Sequence, residues 1–72
     1  MNYLIKVGTV TNAERARYVL KNNGYNTSVA RIKNPKKGDG CGYAVELRTD
    51  NIEGALRIIE NERIFVRGVD AR

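Results

Sequence analysis

Six segments of alternating strand-like and helix-like character fill this chain of 72 residues, and their order constrains the fold more than any other feature. β-branched and aromatic residues in alternation predict the strands, while apolar residues three or four positions apart predict the helices. The first helix is expected to end at Asn22-Asn23-Gly24, because Gly24 suits the left-handed position that follows a helix. The predicted segments are a strand over 2–8, a helix capped by Thr11, strands over 27–32 and 43–48, a helix capped by Asp50 and a strand over 64–69.

Strand–helix–strand, repeated twice in a chain of this length, favours an α+β ferredoxin-like βαββαβ fold. This fold is a four-stranded antiparallel sheet with two helices on one face, in which the first and third strands are central. No linker or low-complexity segment interrupts the pattern, so we expect residues 1–72 to form a single domain. One core in so small a domain is only marginally stabilising, which makes a homodimer a reasonable expectation.

The start of the first helix is predicted from Thr11-Asn12-Ala13-Glu14, which matches a capping box. In the predicted topology, the first strand ends at the same edge as the loop between the second and third strands. We therefore expect Cys41, which lies in that loop, to be close to the helix N-terminus. The free amides and partial positive charge of a helix N-terminus stabilise a thiolate or a bound anion.

Cys41 is the single cysteine, and the chain has no histidine. Gly40 and Gly42 flank it without side chains, which predicts an accessible thiol. Lys36 and Lys37 favour the thiolate, so the pKa of this thiol is expected to lie below the ~8.5 of a free cysteine. Burial of Cys41 as a small apolar residue is the alternative. One cysteine supplies neither an internal disulfide nor a zinc cluster, and the sequence predicts no metal or cofactor.

Four short motifs stand out along the chain. They are Val7-Gly8-Thr9-Val10-Thr11-Asn12-Ala13, Gly24 after the first helix, Asn34-Pro35-Lys36, and Gly40-Cys41-Gly42-Tyr43-Ala44-Val45. In these motifs it resembles a family of small bacterial domains described as selenium/sulfur carrier protein-like. The resemblance runs from about Tyr3 to Gly68. It implies transient carriage of sulfur or selenium on Cys41, as a persulfide or selenide adduct exchanged with donor and acceptor proteins. It thus implies a carrier protein in preference to an independent enzyme.

Charge and hydropathy bound the location and the partners. The net charge is +5, but the basic residues are spread along the chain, and only Lys33, Lys36 and Lys37 form a local cluster. We therefore expect a generally basic surface. The first residues lack the basic segment and apolar run of a secretory signal, and no apolar run approaches the ~18 residues needed to cross a membrane. The sequence predicts a cytoplasmic protein without membrane contact, in which a lone thiol stays reduced.

Other functions remain open at this stage. The RNA-recognition motif has the same strand order, and Gly42-Tyr43-Ala44 overlaps the start of its third-strand signature. Val45 then occupies a stacking position, so the sequence disfavours nucleic acid as a partner. The stretch from Tyr3 to Gly8 with the following helix resembles a repeat that binds septal peptidoglycan, but the similarity fades after Arg31. The three glycines at 38, 40 and 42 are a weak phosphate-binding signal. A regulatory or assembly domain without chemistry is the remaining alternative.

Overall fold

The computed structural model describes residues 1–32 and 42–71, and within them it has the predicted order of strands and helices. The sheet is antiparallel with strand order β2-β3-β1-β4, so the first and third strands are central. Two helices join the strands in a βαββαβ arrangement, which is a ferredoxin-like α+β fold. The elements are β1 (Asn2–Gly8), α1 (Val10–Asn22), β2 (Asn26–Arg31), β3 (Tyr43–Arg48), α2 (Ile52–Asn61) and β4 (Gly68–Ala71).

Strand pairing defines two ends of the sheet. At one end, β1 and β2 finish while β3 and β4 begin, since Gly8 pairs with Tyr43 and Lys6 with Gly68. We call this the Gly8 end. The opposite end, where Arg48 pairs with both Asn2 and Asn26, is the Arg48 end. The register of β1 against β3 shifts by one residue between Lys6 and Gly8, at the end of β1 just before α1.

One face of the sheet packs against the helices and forms the core. Alternate residues of the two central strands point to this face, which follows from the two-residue period of a strand. The apolar stripes predicted for both helices meet them, although Val19, Ile52 and Leu56 are only partly buried. Full burial of each large aliphatic side chain contributes roughly 1.5–3 kcal/mol. The buried cluster consists of Ile5, Val7, Ala13, Ala16, Leu20, Val45, Leu47, Ala55, Ile59 and Ile64.

Helix α1 ends as the sequence predicts. Gly24 has a φ of +87°, a backbone conformation in which the Cβ of any other residue would clash with the backbone. Its amide donates to the carbonyl of Lys21 at 3.1 Å, and the amide of Tyr25 donates to the carbonyl of Leu20 at 3.0 Å. These are the two hydrogen bonds of a Schellman motif, which satisfies carbonyl groups left free by the helix end.

Apart from the start of α1, three predicted boundaries are wrong. Helix α2 is capped by Asn51, whose side chain accepts from the amide of Gly54 at 3.1 Å, and Asp50 lies outside the helix. Strand β4 begins at Gly68 and not at residue 64, because Ile64 is buried in the core and Arg63 has a φ of 60° that breaks the extended chain. Strand β2 occupies 26–31, one residue earlier than expected.

Candidate functional site

Of the residues that the sequence assigns to a site, Gly42 and Thr11 lie within the described part of the chain. Cys41, Gly40, Lys36 and Lys37 lie outside the described residues. Gly42 is buried and has a φ of +80°, a conformation suited to glycine. Its carbonyl accepts a hydrogen bond from the amide of Ile32, which extends the pairing of β2 with β3 by one step. The chain therefore enters β3 at a fixed point one residue after Cys41.

Gly42 lies at the Gly8 end, beside the start of helix α1. The next residue, Tyr43, pairs with Gly8, and Thr9 then caps the helix that begins at Val10. The entrance to β3 and the start of α1 therefore lie at the same end of the sheet. The expectation for Cys41 itself stays a prediction.

Thr9 is the N-cap of α1, so the predicted role of Thr11 is wrong. The Thr9 hydroxyl oxygen accepts from the amide of Asn12 at 3.1 Å, and the Asn12 side chain donates to the carbonyl of Val7 at 3.3 Å. Thr11 is instead an exposed residue inside the first turn. The sequence favours Thr11 because Glu14, three residues later, completes a capping box. Thr9 has Asn12 at that position and does not match the motif. The first turn holds no acidic side chain, so its positive partial charge is not offset there.

Arg67 is a cation at the Gly8 end that the sequence did not reveal. Its amide donates to the carbonyl of Lys6 at 2.8 Å, which fixes the residue alongside β1. Its side chain covers Gly8 so closely that a Cβ added to that glycine would lie 2.7 Å from the Arg67 Nε. The Arg67 guanidinium carbon also lies 5.7 Å from the centre of the Phe65 ring. Only the pairing of β4 with β1 brings position 67 to Gly8, and nothing in the local sequence signals it.

The described residues of this end favour anions, because they combine a helix N-terminus with a positioned guanidinium. They include no acid or base in a geometry that would activate a substrate, and the described chain contains no cluster of three histidine, cysteine, aspartate or glutamate residues suited to a metal ion. A shallow polar groove lies at the Arg48 end and is lined partly by Asn2, Asn26, Ser28 and Arg48. That groove is remote from Gly42, since the two lie at opposite ends of β3.

The two central-strand tyrosines do not form an outward stacking platform. Tyr3 and Tyr43 each lie two residues before a core residue, Ile5 in β1 and Val45 in β3, so both point to the helix-covered face, and Tyr43 packs against the core. No helix among the described residues has the length and apolar character that a membrane span requires. In comparisons with known proteins, no family model matches the chain, and neither a curated protein nor a solved structure shows significant similarity to it.

Proposed function

We propose that this protein carries sulfur or selenium on Cys41 and passes it from a donor protein to an acceptor protein. The position of Gly42 supports the proposal. Gly42 is buried and hydrogen bonded, and it adjoins Tyr43, which pairs with Gly8 just before α1 begins. A thiol one residue before this point would share its end of the sheet with a helix N-terminus and with Arg67, both of which favour a thiolate.

The transfer step needs no oxidant beyond the donor itself. The Cys41 thiolate attacks the outer sulfur of a donor persulfide and forms a new sulfur–sulfur bond. The bond between the two donor sulfurs breaks, and its electron pair leaves with the donor thiolate. Cys41 now holds a persulfide, and attack by an acceptor nucleophile on its outer sulfur regenerates the thiolate. A selenium donor would load selenium by the same displacement.

The neighbouring residues have supporting roles in this proposal. Gly40 and Gly42 leave the thiol open to a partner, because neither carries a side chain. Lys36 and Lys37 stabilise the thiolate and attract an acidic surface on the donor or acceptor. A cytoplasmic location suits the chemistry, since a reducing compartment keeps a lone thiol free.

Intact-mass measurement tests the proposal directly. The protein is incubated with a cysteine desulfurase and L-cysteine, and Cys41→Ser is the matched control. We expect the wild-type chain to gain one sulfur that a thiol reductant removes, and the variant to gain none. A wild-type chain that gains no sulfur, or a gain that persists in Cys41→Ser, would refute the carrier and leave a regulatory module as the better description.

The rate of Cys41 alkylation as a function of pH tests the activation of the thiol. We expect a midpoint below the ~8.5 of a free thiol. Lys36→Glu combined with Lys37→Glu should raise the midpoint most at low salt, because exposed charges are screened beyond ~8–10 Å at ordinary ionic strength. A midpoint equal to that of an unfolded control peptide would show that the fold does not activate the thiol.

A further inference from the structure

The segment from Glu62 to Arg67, which joins α2 to β4, is held in place at both ends. The amide of Arg63 donates to the carbonyl of Glu60 at 2.9 Å. The amide of Ile64 donates to the carbonyl of Ile59 at 3.3 Å. Ile64 is buried in the core, and the Arg15 guanidinium donates to the carbonyl of Glu62 at 2.9 Å. The side chains that this segment exposes are therefore presented from a fixed backbone.

Phe65 is the large apolar side chain that this segment turns outward. It is 69% exposed, although the residues on either side of it are anchored. The Arg67 guanidinium lies 5.7 Å from the centre of its ring. Arg67 is in turn backed by Gly8 and tied to β1 through its amide. This cation–π contact with Arg67 favours one orientation of the ring.

The surroundings of Phe65 suit a polyanion better than an apolar protein surface. Two exposed arginines, Arg63 and Arg67, lie within two residues of it. A stable protein interface needs roughly 1,000 Å² of buried surface with a core depleted in charge. Phe65 is the one exposed large apolar side chain of the segment from Glu62 to Arg67, and the others among the described residues, Met1, Val10, Tyr18 and Val69, belong to other parts of the chain. A ring flanked by cations can stack on one base while the cations attract the adjacent phosphates.

We propose that the Phe65 patch, composed of Arg63, Phe65 and Arg67, binds single-stranded nucleic acid. Phe65 stacks on one base, and the two guanidiniums contact the flanking phosphates. This mode differs from the sheet-face binding that the sequence disfavours, because the patch lies on a loop and not on the central strands. It does not use the Cys41 thiol, although Arg67 contributes to both proposals.

Fluorescence anisotropy with a short labelled oligouridylate tests this proposal, and an oligodeoxythymidylate arm distinguishes RNA from DNA. We expect Phe65→Ala to weaken binding roughly tenfold, as is typical when one stacking side chain is removed. Tyr18→Ala is the comparison, since it removes an aromatic of nearly equal exposure, 68%, from α1, where Tyr18 lines a shallow pocket with Glu62. It should weaken binding less than Phe65→Ala does. Phe65→Trp should retain binding, and as the sole tryptophan of the chain its fluorescence should be quenched by the stacked base.

The charge contribution is tested separately with matched arginine variants. Arg67→Gln should reduce the slope of log affinity against log salt by about 1, as expected for the loss of one phosphate contact. Arg57→Gln, which removes an exposed charge from α2, should leave the slope nearly unchanged. Cys41→Ser should bind as the wild type does.

Three outcomes would overturn the proposal. One is wild-type protein that binds neither oligonucleotide. Another is equal loss of affinity in Phe65→Ala and Tyr18→Ala, or in Arg67→Gln and Arg57→Gln, which would indicate diffuse basic attraction. The last is stronger binding of a labelled glutamate-rich peptide than of the oligonucleotides, which would indicate an acidic protein partner. Unchanged thermal unfolding of each variant confirms that the fold is retained.

Discussion

The backbone is stabilised by different kinds of contact at the two ends of the sheet. At the Arg48 end, short turns satisfy their own polar groups, through the Schellman hydrogen bonds at Gly24 and the Asn51 cap of α2. At the Gly8 end, three residues have positive φ, namely Gly8, Gly42 and Arg63. That end also depends on contacts between distant parts of the chain, such as the guanidinium of Arg67 against Gly8.

The Arg48 end is therefore determined mainly by local sequence, and the Gly8 end by tertiary contacts. A turn that is stabilised by its own residues is specified mainly by its local sequence, whereas a cation placed by strand pairing depends on the whole fold. Uncommon backbone conformations persist only where surrounding structure holds them, and they often mark functional regions. The Phe65 patch lies at the Gly8 end, where such conformations and a positioned cation coincide, and the carrier proposal expects Cys41 there as well.

Both ends depend on the same core, so the largest predicted effect tests whether they unfold together. Ile59→Ala should lower the free energy of unfolding by roughly 2–5 kcal/mol, because it removes a fully buried side chain and leaves a cavity. Leu56→Ala should cost less, since Leu56 is only partly buried. Chemical denaturation followed by circular dichroism measures both. Equal losses, or a two-step transition in either variant, would contradict a single shared core.

The two turn glycines provide a direct comparison of the ends. Gly8 and Gly24 have nearly the same φ, +89° and +87°, but a Cβ on Gly8 would meet Arg67 while one on Gly24 would meet nothing within 4 Å. Gly24→Ala should therefore cost about 1 kcal/mol for the backbone conformation alone. Gly8→Ala should cost about 2–3 kcal/mol, because Arg67 must also move. Equal costs by chemical denaturation would show that Arg67 yields freely.

The same division explains what the sequence could predict. The strand order, the core faces of both central strands and the stop at Gly24 follow from local patterns, and all are confirmed. The pattern failed where two neighbouring residues compete for one role, as Thr9 and Thr11 do for α1. It also failed at 64–67, where apolar residues suggest a strand but Ile64 is required by the core. The cation at Gly8 was not predictable, because β4 pairing alone brings Arg67 there.

Helix caps give the next largest effects and test the assignment at each end. Thr9→Ala should cost about 1 kcal/mol, because the amide of Asn12 loses its acceptor. Asn51→Ala should cost a similar amount at the Arg48 end. Thr11→Ala should change stability by less than about 0.5 kcal/mol, since Thr11 is an exposed helical residue. Thermal and chemical unfolding measure the series, and a larger loss in Thr11→Ala than in Thr9→Ala would restore the cap predicted from the sequence.

The smallest effect concerns Asp50, which the sequence assigned to the α2 cap. Its carboxylate lies 3.6 Å from the N-terminal amine, and the side chain is fully exposed. Exposed ion pairs contribute little, because solvent and salt screen the attraction and ordering two mobile groups costs entropy. Asp50→Asn should therefore leave the unfolding midpoint within experimental error at moderate salt, while Asn51→Ala shifts it clearly. If the two variants shift the midpoint equally, Asp50 stabilises the start of α2 and the Arg48 end is not explained by its local hydrogen bonds alone.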